Sequence, residues 1–420
     1  MNVSFKPFVP SGTVKAPPSK SDVHRAIICA ALSGGKCTIS PVALSEDIKA
    51  TIRCVESLGA VTNIDKEVLT VDGSRMFENK EAQLDCSESG STLRFMIPVA
   101  AAGGVTATFT GKGRLPERPI GIYAEALPKA GVEFSCDSGL PLTISGQLKG
   151  GVFKIPGDIS SQFISGLLFA LPLLKRDSDI VLTSPIQSVG YINMTIRTIE
   201  QFGIEVDATD TGWHVRGQQH YIPSDYTTDG DWSQAAFYMV SGAIGGEIAV
   251  DGVNTNSAQG DRKIAELLRE FGAEVIQDAS SVTVKKSALS AIEIDAKNIP
   301  DLVPVLAVCA AFADGTTRII NAERLRIKES DRLKTTAELL KSLGAKVTEQ
   351  SGGLEIEGIR QLDGGSVNGY NDHRIVMSAA VCAACCKGEI TCTDALSINK
   401  SYPDFYRDYN SVGGKAELRE

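Results

Sequence analysis

Mostly apolar runs alternate with runs of mixed character along this chain, and both kinds recur at a steady interval. The apolar runs open at clusters containing Ser, Asp or Gly: SKSDVHRAIICAAL at Ser21, SGSTLRFMIPVAAA at Ser91, SSQFISGLLFALPLL at Ser161, DWSQAAFYMVSGA at Trp232, PDLVPVLAVCAAFA at Asp301 and NDHRIVMSAAVCAA at Asp372. Apolar nearly all round, each predicts a buried helix with a polar cap at its start. The mixed runs, such as Arg262–Phe271, carry charges on one face and predict helices that cover the outside. Each mixed run meets a glycine followed by an alternating stretch, at Gly59, Gly131, Gly203, Gly272, Gly344 and Gly413. A helix that ends on a left-handed residue and turns into a strand explains that glycine.

The apolar openings lie 69–71 residues apart and the glycines 69–72 apart. A near-constant period means repeated supersecondary units. Each unit is predicted to hold a capped apolar helix, a hairpin-like stretch, an amphipathic helix and a strand. Six such units predict an α/β protein of two lobes with three units in each, and a chain of 420 residues is long enough for two or three domains.

Composition narrows the possibilities without changing this picture. With 43% apolar and 22% charged residues the chain reads as globular, and a net charge of -9 argues against a broad nucleic-acid or anionic-membrane surface. No apolar run reaches membrane-spanning length, and Met1–Val14 lacks a signal core. Ten scattered cysteines read as reduced thiols in a cytoplasm. Cys382, Cys385 and Cys386 lie in an apolar helical stretch with no second pair, so they read as core and not as a metal site.

Basic residues gather at the helix openings, where backbone N–H groups and the helix dipole favour anions. Lys20, Ser21 and Arg25 open the first apolar helix, and Gly90 and Arg94 the second. The loop GKGRLPERPI adds Lys112, Arg114 and Arg118, while Ser160, Ser161 and Gln162 offer neutral donors at the third opening. Further on come Lys328, Glu329 and Arg332, then His373 and Arg374, then Lys400. Arg94 and Arg374 interrupt apolar helices and call for buried partners. Singly, most of these cations would be solvated surface groups, Asp301 a plain N-cap and Glu329 an exposed partner of Arg332. Together they predict a cationic gap for small anions, with Asp301 and Glu329 able to move protons. No GxxxxGK[ST], GxGxxG or GxSxG motif occurs, which leaves nucleotide phosphoryl transfer, nicotinamide chemistry and a nucleophile elbow without support.

From PPSKSDVHRA at Pro17 to NKSYPDF at Asp404 the chain resembles the 5-enolpyruvylshikimate-3-phosphate synthases. SESGSTLRF, GRLPERPIG, SSQFISGLLFALP, RIKESDRL and YNDHRIVM, in that order, carry the resemblance. It implies an α/β fold, a two-lobed inside-out barrel of six βαβαββ repeats, three per lobe. One lobe would span 19–229 and the other 1–18 with 230–420, with the active site in the gap between them. It implies transfer of the enolpyruvyl group of phosphoenolpyruvate to the 5-hydroxyl of shikimate 3-phosphate, through a tetrahedral intermediate and with release of phosphate. By the same resemblance Lys20, Ser21, Arg25, Ser160, Ser161, Gln162, Ser188, Tyr191, Asp301 and Lys328 would hold shikimate 3-phosphate. Lys20, Gly90, Arg118, Gln162, Arg332, Arg374 and Lys400 would hold phosphoenolpyruvate. Asp301 would take the proton of the attacking hydroxyl, and Glu329 with Lys20 would manage the proton at the methylene carbon. No cofactor, metal, nucleic acid or membrane is implied, and a cytoplasmic monomer is expected.

Two departures stand out. Glu88 and Ser89 precede Gly90 where many relatives read Asn-Ala, and Arg324 replaces an Asn found in some. Both bear on inhibition more than on activity, since the herbicide glyphosate occupies the phosphoenolpyruvate position, and Gly90 is expected to leave room for it. The sister transferase acting on UDP-N-acetylglucosamine usually carries a reactive Cys on the loop after the second unit and Asn after the first Lys. Here Gly111–Ile120 contains no Cys, and Ser21 follows Lys20. A binding protein that has lost the chemistry is disfavoured by Lys20, Asp301 and Glu329 occurring together, and an RNA-end processing enzyme by the acidic net charge.

Overall fold

The computed structural model describes residues 1–136 and 138–420. The chain forms two compact units, one of Met1–Pro17 with Asp229–Glu420 and one of Pro18–Thr228. Each unit has its own apolar core.

Among the described residues the α-helices come in pairs of contrasting character. In the Pro18–Thr228 unit these are α1 (Lys20–Leu32) with α2 (Glu46–Ser57), α3 (Gly90–Ala102) with α4 (Gly121–Ala126), and α5 (Ser161–Ala170) with α6 (Val189–Gln201). The other unit has α7 (Trp232–Gly245) with α8 (Ile264–Glu270), α9 (Val303–Ala310) with α10 (Arg332–Ser342), and α11 (His373–Cys382) with α12 (Phe405–Ser411). The first of each pair is apolar and buried along nearly its whole length, whereas the second buries one side only. Ser89, Ser160, Asp231 and Asp372 cap their helices by accepting a backbone N–H, as the Ser/Asp openings predict, whereas Ser19 before α1 makes no side-chain cap bond. All six repeat-marking glycines are left-handed, with φ between 82° and 116°. Cys382 and Cys386 belong to the apolar core.

Two further details differ from the sequence reading. A single strand, not a hairpin, follows each buried helix, and in the first five repeats the hairpin comes after the outer helix. Glu81–Asp85 runs parallel to Thr106–Thr110 across α3, and Leu142–Gly146 then pairs antiparallel with both Thr106–Thr110 and Val132–Phe134. The same four-strand order recurs in all six sheets. Asp301, in turn, is not an N-cap: it sits in a 3-10 turn, Pro300–Leu302, that leads into α9.

The passage of the chain between units explains where the repeat looks irregular. Ser11–Lys15 precedes α1 in sequence but pairs with Glu247–Asp251, and Tyr226–Thr227 precedes α7 but pairs with Lys36–Ser40. The leading strands of these two repeats are thus exchanged. Asn2–Phe5 lies between Ile390–Cys392 and Ala416–Arg419 and completes the last sheet. Each unit is an inside-out α/β barrel, with the buried helices inside and the sheets outside.

Close helix packing positions the helix openings. Gly166 on α5 lies so near α3 that a methyl group there would strike the Arg94 carbonyl and the Tyr123 hydroxyl. Pro98 has no N–H to give the Arg94 carbonyl one turn back. The Tyr123 hydroxyl takes that place, 3.0 Å from the Arg94 carbonyl and 2.7 Å from that of Phe163. Phe95 meets Phe169 edge to face at 5.3 Å, a contact contributing ~0.5–1.5 kcal/mol beyond burial.

Candidate active site

In the unit holding the C-terminus, the openings of α9, α10 and α11 meet in a buried ionic cluster. The Asp301 carboxylate accepts from Arg332 at 2.9 Å and lies 3.3 Å from an Arg374 nitrogen and 3.6 Å from Lys328 Nζ. Arg374 also donates to the Asp301 carbonyl at 3.0 Å. Arg332 is 2% exposed and reaches Glu329 at 2.8 Å. It forms two bonds to Asp372, 2.8 and 3.2 Å, and Asp372 is fully buried. Asp372 also caps α11 through the Arg374 N–H and accepts from Ser330 at 2.9 Å. Lys400 donates to the Asn371 carbonyl at 2.5 Å, in a turn where Tyr370 and Asn371 are both left-handed.

Burial and charge pull these groups in opposite directions. Burial pushes the Asp301 carboxyl up, but Arg374, Lys328 and Arg332 outweigh it and hold it well below the usual range. Burial lowers Lys328 to about 8 despite Asp301 and Glu329, and Arg324 beside it acts in the same direction as burial. Burial would raise Asp372 too, yet Arg332 keeps it at about 2. Burial disfavours the Arg332 cation, and its three carboxylate partners more than compensate. The pair of Glu329 with Arg332 is therefore part of a buried network and not the exposed pair its spacing suggests. Asp261, hydrogen-bonded to Ser233, is pushed up to about 7 by burial and by the Asp301 charge.

The other unit arranges its openings mainly with neutral groups. Arg25 donates to Thr195 at 2.8 Å, to the Tyr191 carbonyl at 2.8 Å and to the Ser21 carbonyl at 2.5 Å, tying α1 to α6. Ser188, at the start of α6, is fully buried and left-handed. Gln162 accepts from Arg94 at 2.5 Å and donates to Ser91 at 2.8 Å, joining α5 to α3. Ser160 caps α5, and Ser161 is its first residue. Arg94 also holds the Pro119 carbonyl at 3.0 Å, next to Arg118. Arg118 is buried with its guanidinium over Gly90, where an added methyl would sit 2.7 Å from the guanidinium carbon. Lys112 and Arg114, on the same loop, are exposed. Lys20 pairs with Asp47 of α2 at 2.7 Å.

Each unit therefore gathers its own share of the predicted residues. Lys20, Ser21, Arg25, Gly90, Arg118, Ser160, Ser161, Gln162, Ser188 and Tyr191 belong to one, and Asp301, Lys328, Glu329, Arg332, Arg374 and Lys400 to the other. Asp47 and Asp372 join the site only through distant partners, Lys20 and Arg332. Asp372 stands directly before His373 in YNDHRIVM, and only its distant partner Arg332 reveals what it does. Asp47 sits in the first turn of α2, and nothing local marks it as the partner of Lys20. Glu88 folds onto the loop after α3, its carboxylate against Gly113.

Comparison with known proteins speaks to the family and the fold. Residues 9–409 match the model of the family described as EPSP synthase (3-phosphoshikimate 1-carboxyvinyltransferase). A 3-phosphoshikimate 1-carboxyvinyltransferase of Clostridium perfringens is 45% identical over 407 residues, covering 96% of each chain. One from Clostridium kluyveri is 43% identical over 417 residues, covering 99% of this chain and 98% of the relative. The structure of EPSP synthase from Acinetobacter baumannii superposes with a TM-score of 0.84 over 100% of both chains at 24% identity. That of the enolpyruvyl transferase NikO from Streptomyces tendae does so with a TM-score of 0.81, at 15% identity and over 99% and 98% of the two chains, so both structures speak for the fold. With a match across nearly its whole length and relatives above 40% identity, the chain belongs to the EPSP synthase family.

Proposed function

We propose that this chain transfers the enolpyruvyl group of phosphoenolpyruvate to the 5-hydroxyl of shikimate 3-phosphate by addition and elimination, releasing phosphate. The observation that carries the reading is Asp301: a carboxylate held by Arg332, Arg374 and Lys328 within a chain of this family. Both substrates are multiply anionic, so cations must offset their mutual repulsion before they can react. Residues of both units are assigned to the same pair of substrates.

In this reading Arg118, Arg332, Arg374 and Lys400 hold phosphoenolpyruvate, Gly90 leaves the space in which it meets Arg118, and Gln162 and Lys20 touch both ligands. Ser21, Arg25, Ser160, Ser161, Ser188, Tyr191 and Lys328 hold shikimate 3-phosphate. Asp301 is the base for the 5-hydroxyl. Without substrate it is a weak base, because three cations stabilise its charge. The phosphate and carboxylate of phosphoenolpyruvate, bound by Arg332 and Arg374, offset two of those cations. The proton affinity of Asp301 then rises toward the range a general base needs, so the donor substrate prepares the base. Glu329, with Lys20, handles the proton at the methylene carbon. Exclusion of water strengthens each remaining attraction, and alignment of the two reactants contributes up to about 7–11 kcal/mol in favourable systems.

The reaction is assigned to a cytoplasmic monomer without cofactor. Free thiols throughout the chain accord with the compartment, and no helix among the described residues is long and apolar enough to cross a membrane. The test is phosphate release from phosphoenolpyruvate with each of two acceptors. Release is expected with shikimate 3-phosphate and not with UDP-N-acetylglucosamine, and the reverse pattern would overturn the assignment.

A further inference from the structure

Lys20 pairs with Asp47 at the outer end of the seam between α1 and α2. One turn further along both helices, His24 Nδ1 lies 2.7 Å from Thr51 Oγ1. The spacing is four residues on each helix, so both contacts fall on the same pair of faces. The inner one continues into α3: Thr51 Oγ1 is 2.7 Å from Thr92 Oγ1, and Thr92 donates to Ser89 Oγ at 2.7 Å. Ser89 accepts the Thr92 N–H as the cap of α3, and Gly90 is the next residue. His24, Thr51, Thr92 and Ser89 are each no more than 1% exposed.

A polar chain in an apolar interior is costly wherever a member lacks its partner. With Thr92 donating to Ser89, Thr51 donates to Thr92, and the Nδ1–H of His24 donates to Thr51. That polarity leaves the lone pair on Nε2, which has no hydrogen-bond partner among the described residues. The ring is neutral: burial first, then the charges of Lys20 and Arg25, hold it far below the ordinary imidazole range. An imidazolium here would repel Lys20 one turn away.

We infer that His24 is a positioning residue that, through Thr51, Thr92 and Ser89, sets the opening of α1 with Lys20 against the opening of α3 with Gly90. The link to turnover rests on the function proposed above; the link to geometry does not.

Four variants test it: His24→Leu, His24→Asn, Thr51→Val and the pair H24L/T51V. Leu and Val fill space without the hydrogen bond, whereas an Asn amide offers a donor where Nδ1 stood. His24→Leu and Thr51→Val are each expected to lower kcat/KM for phosphoenolpyruvate roughly tenfold or more, with the double variant no worse than the weaker single one. His24→Asn is expected to return to within about threefold of the unsubstituted enzyme. Asn behaving no better than Leu, or losses that only follow the folded fraction, would reduce His24 to core filling and overturn the inference. Amide hydrogen exchange supplies a readout that needs no turnover. His24→Leu should speed exchange at Thr92 by about tenfold while leaving α12 unchanged, and unaltered protection at Thr92 overturns the inference. If the unsubstituted chain turns over neither acceptor, the functional reading fails alone and the exchange result still decides.

Discussion

The two units repeat one fold but hold their helix openings together by different means. In the unit with Asp301, the openings of α9, α10 and α11 are joined by ion pairs whose members are largely or wholly buried. In the unit with Lys20, hydroxyls, amides and backbone carbonyls do most of the joining, and even Arg25 and Arg94 donate to neutral acceptors. A buried ion pair is costly to assemble and far more costly to break on one side, because the remaining charge cannot return to water. A neutral hydrogen bond risks less. The ionic unit should therefore answer sharply to single charge changes and to pH, and the neutral unit in smaller steps.

The largest expected effect is on chemistry in the ionic unit. Asp301→Ala should lower kcat by roughly 10²–10⁴, the usual contribution of a general base. Binding of shikimate 3-phosphate, followed by calorimetry, should change much less. Equal losses in both would make Asp301 a positioning residue and remove its distinction from Asp372.

Asp372→Asn comes next. It keeps the shape of the side chain but removes the charge facing Arg332, and it should destabilise the fold by about 3 kcal/mol, seen as a lower midpoint in urea. A shift worth under about 1 kcal/mol would mean that Asp301 and Glu329 alone suffice to hold Arg332, and the contrast between units would weaken.

Titration sharpens the comparison further. Lys328 is a cation below about 8 and neutral above it. The attraction it offers to a phosphate is therefore present below that pH and lost as pH rises through it. For the free enzyme, kcat/KM for shikimate 3-phosphate should fall roughly tenfold per pH unit on that side. Lys328→Arg should remove this limb, since a guanidinium stays charged. A limb unmoved by that variant belongs to another group.

In the neutral unit a steric change should act more mildly. Gly90→Ala places a methyl group against the Arg118 guanidinium. The end of a side chain can shift, so ~1 kcal/mol of overpacking is expected, read as a several-fold rise in KM for phosphoenolpyruvate with kcat nearly kept. A collapse of kcat would show that Gly90 serves the transition state and not the ground state.

Much of this architecture is legible in the sequence because each repeat carries local signals. The six glycines mark left-handed helix ends, and the Ser and Asp clusters mark helix starts, and both depend on neighbours a few residues away. The exchange of leading strands is not legible, since Tyr226–Thr227 is too short to show periodicity and Ser11–Lys15 pairs with a strand more than two hundred residues on. The candidate cations were visible as exceptions within apolar or Ser-rich stretches. Their partners were harder to see: Arg332 and Asp372 stand 40 residues apart, and Arg25 and Thr195 stand 170 apart. Nothing local distinguishes an Asp that caps a helix from one that also clamps an arginine.

The smallest expected effect tests whether burial, and not the number of charges, separates the two units. Lys263 and Glu266 form an ion pair in the ionic unit, but with side chains 44% and 52% exposed. Water screens such a pair, and holding two flexible side chains in one geometry offsets part of the attraction. A double-mutant cycle with Lys263→Ala and Glu266→Ala should give a coupling of only ~0.3 kcal/mol, and less in high salt. Asp372 and Arg332 are also a carboxylate and a cation in hydrogen-bond contact, so the two pairs differ chiefly in their access to solvent. A coupling at Lys263–Glu266 as large as that at Asp372–Arg332 would mean that this unit is sensitive to charge wherever it lies, and the contrast would then reflect composition and not desolvation.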